Sequence, residues 1–172
     1  MAIFNTLSIV LYGSVSDNIG SWKNWYEYSK KQIQDLNFEP NYIGISGTNF
    51  KSSKINTLRR IEKKLIEAFD NSEILSSLEL YSMPDEFKQA AFDYNIYMIR
   101  TANLRCQRVF ITLNRDIIQA ININSVVESL KKHIDYTNGE VFEMTNFDNP
   151  QFYAAKMNEP SDYKSLKIIE TF

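Results

Sequence analysis

Three short runs of alternating apolar residues stand close together in the middle of the chain, and they constrain the fold most. Leu75–Tyr81 alternates around Leu78 and Leu80. Phe92, Tyr94, Ile96 and Met98 form a period-two set, and Val109, Ile111 and Leu113 form another. Such alternation marks strands with a buried face. The punctuation between the runs, SMPDE and ANLRCQ, is short. A parallel crossover needs about a dozen residues or more, so strands this close in sequence pair antiparallel, and the centre of the chain predicts a meander.

The flanks add helices and further strands. Ile3–Tyr12 alternates, with Leu7, Ile9 and Leu11 on one side and Ser8, Val10 and Tyr12 on the other, a strand with one well-buried face. Residues 21–36 place Trp22, Trp25, Tyr26, Ser29, Ile33 and Leu36 on one helical face, with Ser21 as N-cap and Tyr28 off the stripe towards the surface. Pro40 bars continuation of that helix. Tyr42–Ser46 reads as a strand. Lys51–Asp70 reads as a second helix with Ile55, Leu58, Ile61, Leu65 and Phe69 as its stripe. A third helix opens at Asn124 or Ser125, where Ser125 and Glu128 have capping-box spacing. Asn138-Gly139 closes that region, Glu140–Thr145 reads as a strand, Phe147–Asn158 as irregular, and Leu166–Thr171 as a terminal strand. The expected architecture is one α+β domain over residues 1–172. It has a mainly antiparallel sheet of about six or seven strands, with about three helices packed on one face.

Charge and rare residues then exclude function classes. A formal net charge of −2 lacks the basic surplus that drives general nucleic-acid binding. The lone cysteine, Cys106, excludes an internal disulfide and thiolate zinc sites; the lone histidine, His133, excludes two-histidine metal motifs. No cofactor or metal is expected. The N-terminus is apolar without a basic region, and no run reaches the roughly 18 apolar residues of a membrane span, so a cytoplasmic protein with no membrane partner is expected.

The stretch YIGISGTNFKSSK is the most chemical in appearance. A phosphate loop reads G-x-x-x-x-G-K-[ST]; here Gly44, Gly47, Lys51 and Ser52 put the lysine too late, and the hydrolase elbow and dinucleotide fingerprints are also absent. A generic anion site from Gly44, Gly47, Lys51 and Lys54 at a helix start remains as an alternative. The plainer account is a chain reversal, with left-handed glycines, followed by a solvated basic helix face carrying Arg59, Arg60, Lys63 and Lys64.

Catalytic combinations are scarce. A Cys106–His133 nucleophile and base have no local support, and Asp93, Asp85 and Glu86 have no carboxylate partner that the sequence can place. The aromatic helix SWKNWYEYSK could stack bases, but its rings share the core stripe. From Asp135 onward acidic residues outnumber lysines. Glu140, Glu143 and Asp148, beside Phe147 and Tyr153, form a candidate face for a basic protein partner, where charge speeds encounter and aromatic anchors hold it. Inward packing of those aromatics is the competing account.

Taken together, the opening strand LSIVLYG, the helix SWKNWYEYSKKQI, the strand-turn NYIGISG and the closing YKSLKIIETF give a spare β-α-β layout. This layout resembles the bacterial immunity proteins of polymorphic, contact-dependent toxin systems. The resemblance implies a non-enzymatic inhibitor that binds one cognate toxin domain and occludes its active site. A basic nuclease domain would suit the acidic region. It transfers no functional residue, because such families bind through variable surfaces. Two other classes stay open: a small phosphate- or anion-binding enzyme using Gly44–Lys54, and a structural or assembly protein of a mobile element.

Overall fold

The three central runs become adjacent antiparallel strands in the computed structural model, which describes residues 2–50 and 54–172. They are β4 (Leu75–Ser82), β5 (Ile96–Thr101) and β6 (Arg108–Asn114), in register from Leu80↔Met98 to Met98↔Ile111. Around them lie β1 (Asn5–Ser14), β2 (Tyr42–Gly47), β3 (Asn56–Thr57), β7 (Asp135–Thr145) and β8 (Lys167–Thr171). All eight strands form one antiparallel sheet in the order β3-β2-β4-β5-β6-β1-β7-β8. The α+β class therefore holds, with eight strands and four α-helices among the described residues.

Three helices cover one face: α1 (Ile19–Asp35), α2 (Leu58–Asp70) and α3 (Ile123–Leu130). Trp22, Trp25, Tyr26 and Ile33 of α1 are buried against Leu7, Ile9, Leu11, Leu78, Leu80 and Met98. Each ring of this size removes on the order of 150–250 Å² from water, so the α1 stripe is the main fastening of this layer. Trp25 also donates its indole N–H to Leu78 O at 3.1 Å, which fixes its ring over β4. Tyr26 reaches α2 through a 2.7 Å hydrogen bond to Glu62.

The second face is equally buried, contrary to the one-sided sheet expected. Val10, Tyr12, Tyr81, Tyr97, Ile99, Phe110, Phe142 and Met144 pack beneath Met83, Tyr94, Tyr163 and α4 (Pro150–Ala154). Rings meet edge to face along this layer, as Tyr94–Tyr97 at 5.3 Å and Phe142–Tyr153 at 4.7 Å. The segment expected to be irregular, 147–158, holds α4, capped by the Asn149 side chain. The polar Ser8 and Thr6 of β1 stay inside because Ser8 Oγ donates to Thr112 Oγ1 and Thr6 Oγ1 to Met144 O.

Several boundaries shift for identifiable reasons. Helix α1 begins at Ile19 because Asn18, not Ser21, caps it, and α3 is capped by Asn122 rather than Ser125. Helix α2 starts only at Leu58, since Asn56 and Thr57 pair with β2; Ile55 precedes the helix and packs against the aromatic layer. Residues 92 and 94 lie ahead of β5, where Asp93 accepts from the Lys88 and Gln89 amides and closes the loop. Asn138 and Gly139 run inside β7 instead of ending an element. A Cβ on Gly139 would lie 2.6 Å from Leu11 Cδ2 and from Phe172 Cε2, so glycine serves close packing there. No helix among the described residues is long and apolar enough to cross a membrane.

Candidate functional site

Helix α4 and the strand ends beneath it frame a depression on the aromatic face. Two cavities, of about 350 and 440 Å³, share Tyr12, Asn138 and Lys156 as lining. Lys156, in the left-handed region at φ 56°, brings its ammonium 4.2 Å from the centre of the Tyr12 ring. The Tyr12 hydroxyl donates to Ala154 O at 2.8 Å and so ties β1 to α4. Burial, reinforced by nearby acidic groups, holds the Tyr12 phenol above its ordinary value and keeps it protonated.

Two of the sequence-proposed partner residues meet here. Tyr153 donates a 2.7 Å hydrogen bond to Glu140 Oε2. Burial and that bond raise the Tyr153 phenol, so Tyr153 stays protonated and is the donor. Glu140 and Glu159 line the smaller cavity, giving it two carboxylates beside Tyr12, Tyr153 and one cation, Lys156.

The other proposed residues lie apart from this pair. Glu143 is half-buried and faces the helical layer, paired across the sheet with Leu7. Asp148 is engaged within the chain: its carboxylate accepts from both the amide and the hydroxyl of Ser165. Phe147 is 59% exposed, and Phe152 and Met157 are each 48% exposed, so one short segment around α4 presents three large apolar side chains to solvent.

The glycine loop has a different construction from a phosphate cradle. Gly44 lies inside β2, opposite Glu79, and Gly47 at its end, opposite Leu75. Neither has a left-handed φ. A Cβ on Gly47 would lie 2.4 Å from Ile74 O, and one on Gly44 would lie 3.2 Å from Glu79 Oε2. Close approach of backbone, not turning, explains Gly47, while at Gly44 the neighbour is the movable end of a side chain. Lys51 lies outside the described residues; Lys54 is exposed, and β3 separates the glycines from the start of α2. Cys106 and His133 are on opposite faces: Cys106 approaches Ala154 O, while His133 stacks on Tyr28 at 4.6 Å.

Sequence inspection missed two features. Glu79 is a carboxyl raised by burial; Tyr81 donates a short hydrogen bond to it, and Arg108 opposes the shift. Arg100 is a fully buried cation on the helical face. In the sequence both sit in strands whose apolar residues dominate the pattern, so only register places them.

No protein-family model matches the chain, and no curated protein sequence matches it. Among solved structures, its fold is similar to that of the Pseudomonas aeruginosa T6SS protein PA0821. The TM-score is 0.50 and the identity 8%, over 91% of this chain and 46% of that one. The chain thus spans under half the length of the protein it matches, and the likeness is one of fold.

Proposed function

We propose that the chain is a non-enzymatic, protein-binding inhibitor of the immunity type, acting in the cytoplasm on a cognate toxin domain. The observation that carries this reading is the α4 face. Exposed Phe147, Phe152 and Met157 supply apolar anchors of the kind a partner covers, next to a cavity rimmed by Glu140 and Glu159. That combination suits a partner presenting arginine or lysine side chains, such as a basic nuclease domain. The fold shared with a T6SS protein supports a toxin-system setting by analogy.

The test is a native purification of the tagged protein from its host, with mass spectrometry of whatever co-elutes in near-equal amount. The candidate partner is then expressed alone and together with this chain. A stoichiometric partner that arrests growth alone, and is neutralised by co-expression, is the expected result. A chain that elutes as a lone monomer, and neutralises no toxin of its genetic neighbourhood, would overturn the reading.

A further inference from the structure

On the opposite face of the sheet from α4, the end of β1, the start of β7, the start of α1 and the turn at Lys131–His133 border an open cavity of about 620 Å³. Arg100 lines it from β5 and is 1% exposed. Its Nε donates to His133 O at 2.9 Å and its Nη2 to Ser16 O at 3.1 Å. The guanidinium carbon lies 4.5 Å from the centre of the Trp22 ring. Nη1 has no hydrogen-bond partner among the described residues, and no carboxylate among them pairs with Arg100. Asp135 lines the same cavity but is exposed.

A buried cation without a counter-ion is costly, and one left with an unsatisfied donor is more so. Two carbonyls and a ring face compensate only part of that cost. Beside the apolar Ile134, the lining carries the polar side chains of Lys132, Ser16, Ser21 and Asn24. The volume falls within the roughly 300–1,000 Å³ of small-molecule sites.

We propose that this cavity binds a small ligand through an oxyanion group, a carboxylate or a phosphate, seated against Arg100 with Lys132 at its rim and Ser16, Ser21 and Asn24 as hydrogen-bonding neighbours. The local electrostatics agree. Burial lowers the Arg100 guanidinium to about 10, the direction expected of a buried cation with no counter-ion, and burial with Arg100 and Lys132 nearby lowers His133 to about 4, so Arg100 and Lys132 supply the positive charge. The site shares Ser14 and Asp135 with the larger cavity beside Tyr12 but none of the exposed apolar residues around α4, so its failure leaves the inhibitor reading untouched.

Titration of the isotope-labelled full chain tests it, with inorganic phosphate and acetate added separately at constant ionic strength in chloride. The Arg100 Nε–H and the Ser16, Ser21 and Asn24 amides are followed by NMR. Saturable shifts at these positions with either probe are expected; phosphate alone points to a phosphorylated ligand and acetate alone to a carboxylic acid. Lys132→Ala, an exposed change that spares the core, should weaken binding about fivefold, the effect of one partly screened charge. Arg100→Gln should abolish saturation if it folds. Shifts that never saturate, or equal binding by Lys132→Ala and the parent, would identify an adventitious ion only and leave Arg100 as a brace for His133 and Ser16.

Discussion

Glu140 and Glu143 lie on the same strand yet point to opposite faces of the sheet: Glu140 pairs with Val10 of the aromatic layer and Glu143 with Leu7 of the helical layer. A partner seated over α4 meets the first and not the second. Glu140→Lys should therefore weaken capture of a basic partner about tenfold or more, whereas Glu143→Lys should change it little. Glu140→Lys also removes the acceptor of Tyr153, so Glu140→Gln, which keeps an acceptor oxygen and drops the charge, is its control and should weaken capture in the same direction. Asp148→Lys is a poorer probe, because it breaks two bonds to Ser165. Calorimetric titration of the purified pair decides it. Equal losses from Glu140→Lys and Glu143→Lys would place the interface elsewhere.

His133 supplies a pH dependence whose sign is fixed. Its imidazole is lowered to about 4, by burial first and then by Arg100 and Lys132. The unfolded chain titrates near the ordinary value of about 6.5. Between these values the unfolded state binds the proton and the folded state does not. Stability is thus fully present above about pH 6.5 and falls as pH drops towards 4. The ring is partly exposed, so solvent screening reduces the effect to about 1–2 kcal/mol. In urea melts, His133→Gln should flatten the slope between pH 6.5 and 4 relative to the parent. Parallel slopes would mean that His133 titrates normally in the fold.

The central meander was legible because period-two alternation and short connections leave few topologies, and β4, β5 and β6 pair in sequence order. The α1 stripe was legible for a similar reason: Trp22, Trp25, Tyr26 and Ile33 share one helical face and are all buried. The second buried layer was not legible. Its cover comes from loops and the five-residue α4, segments too short for periodicity to mark, and Tyr12 and Val10 look the same in sequence whether covered or wet. Cap positions failed where asparagine competed with serine, as at Asn18 and Asn122. At the candidate site, composition puts Glu140 and Tyr153 in one acidic, aromatic region, but their hydrogen bond depends on the turn after β7. The Arg100 cavity left no motif because its lining comes from β1, α1, β5 and β7 and the turns beside them.

Asn146 is a structural staple that no local pattern announced. It is fully buried; its Oδ1 accepts from the Phe4 amide at 2.9 Å, and its Nδ2 donates to Ala2 O and Phe92 O at 2.9 and 2.8 Å. Asn146→Ala leaves those three backbone groups without their partner and should cost about 2–4 kcal/mol. Asn146→Asp should cost at least as much, because a carboxylate then faces two carbonyl oxygens. Chemical denaturation of both variants checks this. A loss under about 0.5 kcal/mol for Asn146→Ala would show that water replaces the side chain.

The two glycines of β2 make a graded test of close approach. At Gly47 an added Cβ meets the Ile74 carbonyl at 2.4 Å, and backbone has to move to admit it. At Gly44 the obstacle is the Glu79 carboxylate oxygen at 3.2 Å, the far end of a side chain that can swing. Overpacking of the first kind costs about 1–3 kcal/mol, and the second should cost about 1 kcal/mol or less. Gly47→Ala should therefore melt clearly below Gly44→Ala, with Gly44→Ala near the parent. The opposite order would mean that the Glu79 carboxylate is held rigidly by Tyr81 and that the β2–β4 end is the softer of the two contacts.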